Sequence, residues 1–282
     1  MWVLLVLLYG ILKGTREVIK KKALQKNTVM EVLIVYTTMA CIMVIPDAKN
    51  AMGVSPYNMF WIAVKSFVIF LAWMFSFKAI KKMPISIYGV LDLSRVLFAT
   101  LLGLVVLKEA FTIPQLTGLA LVCAGLLMLN RTRQLASYKA EKVETVYVVI
   151  AIASCMLNAL SGLLDKILMK RVTSSQLQFW YMLFLVLFYL IYIVVTKSKI
   201  RWIHAFKNYW IWILSFLFII ADRALFIANG MEGSKVTAMT LIKQSGCLVT
   251  ILAGKFIFKE KNIGYKLACA GVIIAGIVIG VL

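Results

Sequence analysis

The sequence is poor in charge. Only 15% of its 282 residues are charged, whereas 63% are hydrophobic. Soluble domains carry about 25% charged and about 45–50% apolar residues, so this composition excludes an ordinary soluble domain. The chain is predicted to be a polytopic membrane protein.

Histidine and cysteine are also scarce. The one histidine, His204, lies in a basic loop, and the five cysteines stand singly in hydrophobic segments. None has the spacing of a metal site, and no span contains a histidine or a paired-aspartate motif that could supply a catalytic base. We therefore expect no metal, no cofactor and no catalytic residue. The protein is predicted not to be an enzyme, with an intramembrane lipid-modifying enzyme as a remote alternative.

Acidic residues are few, with 11 of them against 31 lysines and arginines. The basic residues concentrate in the loops that follow odd-numbered hydrophobic segments. Short basic loops stay on the cytoplasmic side of a membrane, which predicts that these loops are inside and both termini outside. A basic collar of this kind faces the lipid surface, and we expect no nucleic-acid partner.

Ten hydrophobic segments are long enough to cross a bilayer, which takes roughly 17 to 25 residues. They cover residues 1–18, 28–46, 57–80, 84–107, 111–130, 146–167, 174–196, 207–229, 234–258 and 262–282. The first segment lacks the basic n-region of a cleaved signal peptide, so we interpret it as a span. The predicted fold class is an all-α membrane protein with ten transmembrane helices.

The second half of the chain repeats the first. Leu107-Lys108-Glu109 recurs as Phe258-Lys259-Glu260, and each is followed by a helix that ends in Ala-Gly. Trp61-Ile62 recurs as Trp210-Ile211. We expect two five-helix repeats, 1–130 and 146–282, joined by a basic linker, 131–145. Because five is odd, the repeats must be inverted in the membrane, with a central cavity between them.

Ionisable residues lie deep within the predicted spans. They are Lys65, Asp92, Arg95, Asp222, Arg223 and Lys243. Each would cost roughly 3 kcal/mol near the centre of a lipid-facing helix, so these groups must face one another or a watery cavity. Basic groups outnumber acidic ones among them, which favours a carboxylate, a phosphate or a zwitterion as the ligand.

Helical spacing and the repeat predict a binding site from these groups. Tyr88, Asp92 and Arg95 share one helical face. The repeat aligns Asp92 with Lys243, which predicts that they pair across the twofold axis, and it aligns Trp73 with Asp222. The predicted substrate-binding residues are Trp73, Tyr88, Asp92, Arg95, Asp222, Lys243 and Gln244, with Asp222 as the proton-coupling acid.

Several of these charged residues also fit a structural or interfacial role without contact to a substrate. Asp92 and Arg95 also fit a structural pair that neutralises itself. Lys65 also fits a side chain that reaches the membrane interface. Arg16-Glu17 and Asp165-Lys166 are expected near the interface, since they stand close to the ends of their segments.

Small residues spaced four apart indicate close helix packing. Such pairs occur in the first, fifth and tenth segments, as Gly10/Gly14, Ala120/Ala124 and Gly271/Ala275. The fifth and tenth helices are expected to pack together within one bundle or to form the face of a homodimer.

The doubled Lys-Glu motif, the Ala-Gly helix endings and Lys22-Ala23-Leu24 after the first span resemble the EamA-type members of the drug/metabolite transporter superfamily. The resemblance implies ten helices around a central cavity, lined mainly by spans three, four, eight and nine, which opens alternately to each side. The chain departs from the family at Ser94-Arg95, where many members have proline. It also departs in orientation, since relatives are commonly drawn with cytoplasmic termini.

This resemblance predicts a secondary active transporter that exports a small polar or amphipathic metabolite, such as an amino acid or organic anion. Lys243 or Arg95 would engage the anionic end of the substrate, and Asp222 would hold an amine or the coupling proton. The protein is expected to reside in the lipid bilayer of a bacterial inner membrane. A flippase for lipids or lipid-linked sugars is the alternative.

Overall fold

The computed structural model describes residues 2–107, 113–136, 144–232, 239, 242–243, 245–260 and 263–279. Within these residues the chain is helical and contains no strand. The helices are α1 (Trp2–Lys26), α2 (Val29–Val44), α3 (Pro56–Lys82), α4 (Ile85–Asp92), α5 (Arg95–Leu107), α6 (Ile113–Ala136), α7 (Thr145–Leu168), α8 (Ser174–Thr196), α9 (Trp202–Phe206), α10 (Tyr209–Gly230), α11 (Gly246–Phe256) and α12 (Ile263–Ile279). A 3₁₀ segment, Ile45–Ala51, follows α2.

Capping residues explain where several helices begin. Thr28 and Thr173 form capping boxes with Glu31 and Gln176, at the starts of α2 and α8. In such a box the two side chains satisfy backbone N–H groups that the first turn leaves unpaired. α4 has no side-chain cap of its own. Its first N–H groups instead donate to the carboxylate of Glu260, which comes from the other half of the chain.

Six segments are long and apolar enough to cross a membrane: Val29–Ala51, Pro56–Lys82, Ile85–Gly103, Thr145–Leu168, Ser174–Thr196 and Tyr209–Gly230. The chain is therefore an integral membrane protein by composition and length. α1 is long enough but carries several charges, and the 11 residues of α11 and 17 of α12 are shorter than the candidate spans. The count of ten spans stays a prediction.

The predicted fourth span is interrupted at its centre. α4 ends at Asp92 and α5 begins at Arg95. Between them the N–H groups of Leu93 and Ser94 donate to carbonyls three residues earlier, at 3.1 and 2.9 Å. This tighter 3₁₀ turn changes the direction of the side chains on either side of it.

Helix packing places α1 in the middle of the molecule. α1 packs against α10 and α11, while α3 packs against α7 and α8, and α6 against α12. A Cβ on Gly14 or Gly246 would collide with backbone atoms of the other helix, and a Cβ on Gly10 would collide with the Ser245 side chain. The small-residue pair of α1 therefore joins it to α11, which holds the charged side chains of α1 against the centre of the bundle.

The predicted linker differs from the structure at its start. α6 continues to Ala136, so the linker's first residues are helical, and α7 begins at Thr145. Residues 137–143 lie outside the described part of the chain.

Candidate functional site

A cavity of about 110 Å³ with many charged side chains on its wall lies among α1, α2, α3, α5, α7, α8 and α10. One water molecule takes about 10–15 Å³ on this measure, so the cavity holds several waters or a small solute. Its charged lining residues are Lys13, Arg16, Glu17, Lys20, Lys65, Arg95, Asp165, Asp222 and Lys243. The resemblance predicted a lining from spans three, four, eight and nine, and residues of all four line the cavity, from α3, α5 and α10 and as Met239 and Lys243. Residues of α1 and α7 line it as well.

Asp222 lies on the cavity wall and is held by two side chains. The Tyr181 hydroxyl donates to Asp222 Oδ2 at 2.6 Å, and Arg16 Nη1 lies 3.4 Å from Oδ1. The Arg16 guanidinium also lies over the rings of Tyr9 and Phe218, with its central carbon 5.5 and 5.0 Å from the ring centroids. The expectation that Arg16 lies at the interface is wrong, because α1 continues to Lys26 and places it in the bundle.

Lys65 faces the cavity and does not reach the membrane interface. It is 2% exposed, and its Nζ lies 3.1 Å from Asp165 Oδ1. The ammonium also sits 3.3 Å from the centroid of the Tyr181 ring. Asp165 Oδ1 nevertheless has no hydrogen bond of good geometry among the described residues. The two residues thus form a buried ion pair, and the expectations of interfacial positions for Lys65 and Asp165 are both wrong.

Glu17 and Lys20 form a third buried pair on α1. Lys20 Nζ lies 2.7 Å from Glu17 Oε2 and 4.5 Å from the centroid of the Phe77 ring. The expectation of an interfacial Glu17 is wrong for the same reason as for Arg16.

Asp92 is enclosed by two cations. It accepts from Lys13 Nζ and, at 2.7 Å, from Arg95 Nη2. The expected pairing of Asp92 with Lys243 is replaced by this contact with Lys13. Asp92 and Tyr88 border a smaller cavity of about 10 Å³, between α1, α4 and α11. The Tyr88 hydroxyl lies 2.7 Å from Oγ of Ser76, a residue that lines the central cavity.

Lys243 differs from the other cavity lysines. It lines the central cavity, and its Nζ lies 5.8 Å from the centroid of the Tyr9 ring. Among the described residues no carboxylate lies within the 4.0 Å of an ion pair with it. Lys13 and Arg95 line the same cavity, and the Nε of Arg95 is buried without a hydrogen-bond partner in the described part of the chain.

Trp73 lines the cavity as part of an aromatic wall. Its ring centroid lies 5.3 Å from that of Tyr36 and 5.2 Å from that of Phe218. Gln244 lies outside the described residues. Arg223 points away from the cavity and binds Asp47 at 2.6 Å, and it also donates to Gln178 and Ser175.

Sequence reasoning missed the contribution of α1. Tyr9, Lys13, Arg16 and Lys20 follow one another at helical spacings of four, three and four residues. This spacing places the four side chains on one face of α1. The pattern is the sequence signal that indicates a cavity-lining face on this helix.

Comparison with known proteins identifies the first half of this arrangement. Residues 1–131 match the model of the EamA-like transporter family, which belongs to the drug/metabolite transporter superfamily. The match covers a little less than half of the chain. The resemblance stated from the sequence motifs is thereby confirmed, and EamA family members are transporters rather than enzymes.

A solved crystal structure, described only as that of a protein, is similar to the whole chain. The TM-score is 0.69 at 14% identity, over 99% of this chain and 95% of the solved one. At this identity the likeness concerns the fold alone. No curated protein sequence matches the chain.

Proposed function

We propose that this EamA-type protein is a secondary active transporter that exports a small organic anion by alternating access. In this proposal ten spans form two inverted five-helix repeats, 1–130 and 146–282, and the polar cavity between them holds the substrate. The membrane is proposed to be the bacterial inner membrane. The EamA match favours transport over an enzymatic activity.

The observation that carries the proposal is an excess of cations on one side of the cavity. Lys13, Arg95 and Lys243 all line it, whereas Asp92, the acid bound to two of them, lies on the smaller cavity behind. A buried charge without a counter-ion is costly, so an anion from solution would be attracted to this side. A carboxylate or phosphate would contact Lys243 and the unpartnered Nε of Arg95.

The other side of the cavity offers carboxylates. Asp222, between Tyr181 and Arg16, and Asp165, beside Lys65, face the same space. A substrate amine would find its counter-charge here, which includes amino acids among the candidate substrates. Asp222 is proposed as the proton-coupling acid, because protonation would release its ion pair with Arg16 and loosen the link between α1 and α10.

Neutral residues complete the proposed site. Trp73 would contact the body of the substrate from the aromatic wall, and Gln244 would assist Lys243 as its neighbour in the chain. Tyr88 and Asp92 are not proposed to touch the substrate. Instead, Tyr88 would hold α4 in place, and Asp92 would hold the cations Lys13 and Arg95 in place.

The homodimer also stays a proposal. α6 and α12 pack against each other within the chain, where Gly125 is in close contact with Ile273. Ala120, Ala124 and Gly271 are exposed on the outer surface of this pair. A second copy could therefore dock on these residues without disturbing the packing inside the bundle.

The test is a thermal-stability screen of the purified protein against small carboxylates, phosphate esters, amino acids, organic amines and long-chain lipids. Small anions are expected to stabilise the wild type and to lose this effect in Lys243→Gln. Lys78→Gln, which removes an exposed lysine at the end of α3, should keep it. Stabilisation by lipids alone, or by anions in Lys243→Gln as in the wild type, would overturn the proposal, and the former would favour a flippase.

A further inference from the structure

The connection between α8 and α10 presents apolar side chains at the end of two candidate spans. It runs from Lys197 to Asn208 and contains the short helix α9. Trp202 and Ile203 on this helix are 43% and 75% exposed. A water-facing loop rarely displays two large apolar side chains side by side, but a segment at a membrane surface does so routinely.

A buried polar network fixes the connection against α1 and α2. The fully buried carboxylate of Glu31 accepts from the backbone N–H of Arg201 at 3.2 Å and from its Nε at 2.8 Å. The Asn208 amide donates to Asn27 Oδ1 at 2.7 Å, and Asn27 in turn lies 3.0 Å from His204 Nδ1. The exposed face of α9 is therefore held in one orientation rather than free to turn inward.

Exposed lysines lie on the same connection as this apolar face and at the adjoining end of α1. Lys197, Lys199 and Lys207 lie on the connection, and Lys26 stands at the adjoining end of α1, all of them exposed. None of these four lysines forms an ion pair within the described residues. Within the described residues Glu31 forms an ion pair only with Arg201, so the patch keeps an uncompensated positive charge near Trp202 and Ile203.

We propose that residues 197–208 form a binding site for the headgroup of an anionic phospholipid. Trp202 and Ile203 enter the acyl boundary, and the phosphate lies against Lys199 and Lys207. The combination of a fixed apolar face and exposed lysines on one connection matches the two parts of such a lipid. A soluble acidic protein would match the lysines but would leave the apolar side chains unexplained. This inference does not depend on the identity of the transported substrate.

The experiment reconstitutes the full chain in nanodiscs of phosphatidylcholine, with and without phosphatidylglycerol. Melting temperature and lipids retained in native mass spectrometry are measured. Phosphatidylglycerol should raise the melting temperature of the wild type and be retained. The double variant Lys199→Gln/Lys207→Gln should bind it roughly tenfold or more weakly, since two of the basic contacts are gone.

The matched control is Lys78→Gln/Lys82→Gln, which removes two exposed lysines from the end of α3. It should bind phosphatidylglycerol as the wild type does. Equal loss in both double variants would mean a general surface charge and would overturn the site. If Lys199→Gln/Lys207→Gln retained as much phosphatidylglycerol as the wild type, the site would also be overturned. Ile203→Ser should weaken retention without removing any charge, and unchanged retention there would overturn the apolar half of the site.

Discussion

Lys65 and Lys243 are two lysines of one cavity that differ in what surrounds them. Lys65 has a carboxylate at 3.1 Å and the face of a tyrosine at 3.3 Å. Lys243 has an aromatic ring at 5.8 Å and, among the described residues, no carboxylate within ion-pair distance. Removing a buried cation that has a counter-ion leaves the acid alone and destabilises the protein, whereas a cation without a counter-ion is available to a ligand. The two lysines should therefore respond in opposite ways to substitution.

The largest effect is expected from removing one partner of the Lys65–Asp165 pair. Lys65→Gln leaves Asp165 buried beside a neutral side chain, which typically costs about 3–5 kcal/mol. Unfolding of the purified protein in detergent measures the loss. The double variant Lys65→Gln/Asp165→Asn should recover most of it, because neither charge is then left alone. A single variant as stable as the wild type would show that the pair contributes nothing.

Lys243→Gln should have the opposite effect, with little loss of stability and a large loss of anion affinity. Its stability without ligand should stay within about 1 kcal/mol of the wild type, since no carboxylate loses a partner. Its affinity for the stabilising anion should fall about 10- to 150-fold, as expected for loss of a hydrogen bond from a charged donor worth about 1.5–3 kcal/mol. Titration calorimetry measures the affinity. A large loss of stability would instead identify Lys243 as a structural cation.

Tyr181→Phe separates the hydroxyl from the ring that supports Lys65. The variant loses the 2.6 Å hydrogen bond to Asp222 and keeps the aromatic face. A hydrogen bond to a charged group is worth about 1.5–3 kcal/mol, so stability should fall by an amount in this range. Tyr189→Phe on the same helix is the control. The hydroxyl of Tyr189 is buried without a partner in the described part of the chain, so its removal should cost nothing. Equal effects in the two variants would contradict this assignment.

Tyr88→Phe should give the smallest change. It removes the contact with Ser76, at about 0.5–1.5 kcal/mol of stability. Anion affinity should stay at the wild-type value, because Tyr88 borders the smaller cavity behind the site. A loss of affinity comparable to that of Lys243→Gln would place Tyr88 in contact with the substrate after all.

The sequence predicted the membrane fold and several cavity residues well, because both follow from where charge interrupts apolar segments. Trp73, Arg95, Asp222 and Lys243 line the cavity as expected. The pairing of these charges could not be predicted from the sequence in the same way. Asp92 pairs with Lys13 because Gly14 and Gly246 bring α1 against α11, and this depends on backbone contact between segments far apart in the chain.

Helix rotation separates two neighbouring charges of α10. Arg223 follows Asp222 directly, and neighbouring helical positions point about 100° apart. Asp222 faces the cavity, whereas Arg223 binds Asp47 of the 3₁₀ segment. The sequence places both at the same depth but does not determine which faces inward, because that depends on how α10 packs against α2 and α8.

The most direct test of the account is transport itself. Uptake of the labelled anion that stabilises the protein best would be measured in proteoliposomes loaded with the unlabelled anion, for the wild type, Lys243→Gln and Lys78→Gln. The account predicts exchange by the wild type and by Lys78→Gln, and its loss in Lys243→Gln. Exchange by Lys243→Gln at the wild-type rate would contradict the central claim that Lys243, which has no carboxylate partner among the described residues, binds the transported anion.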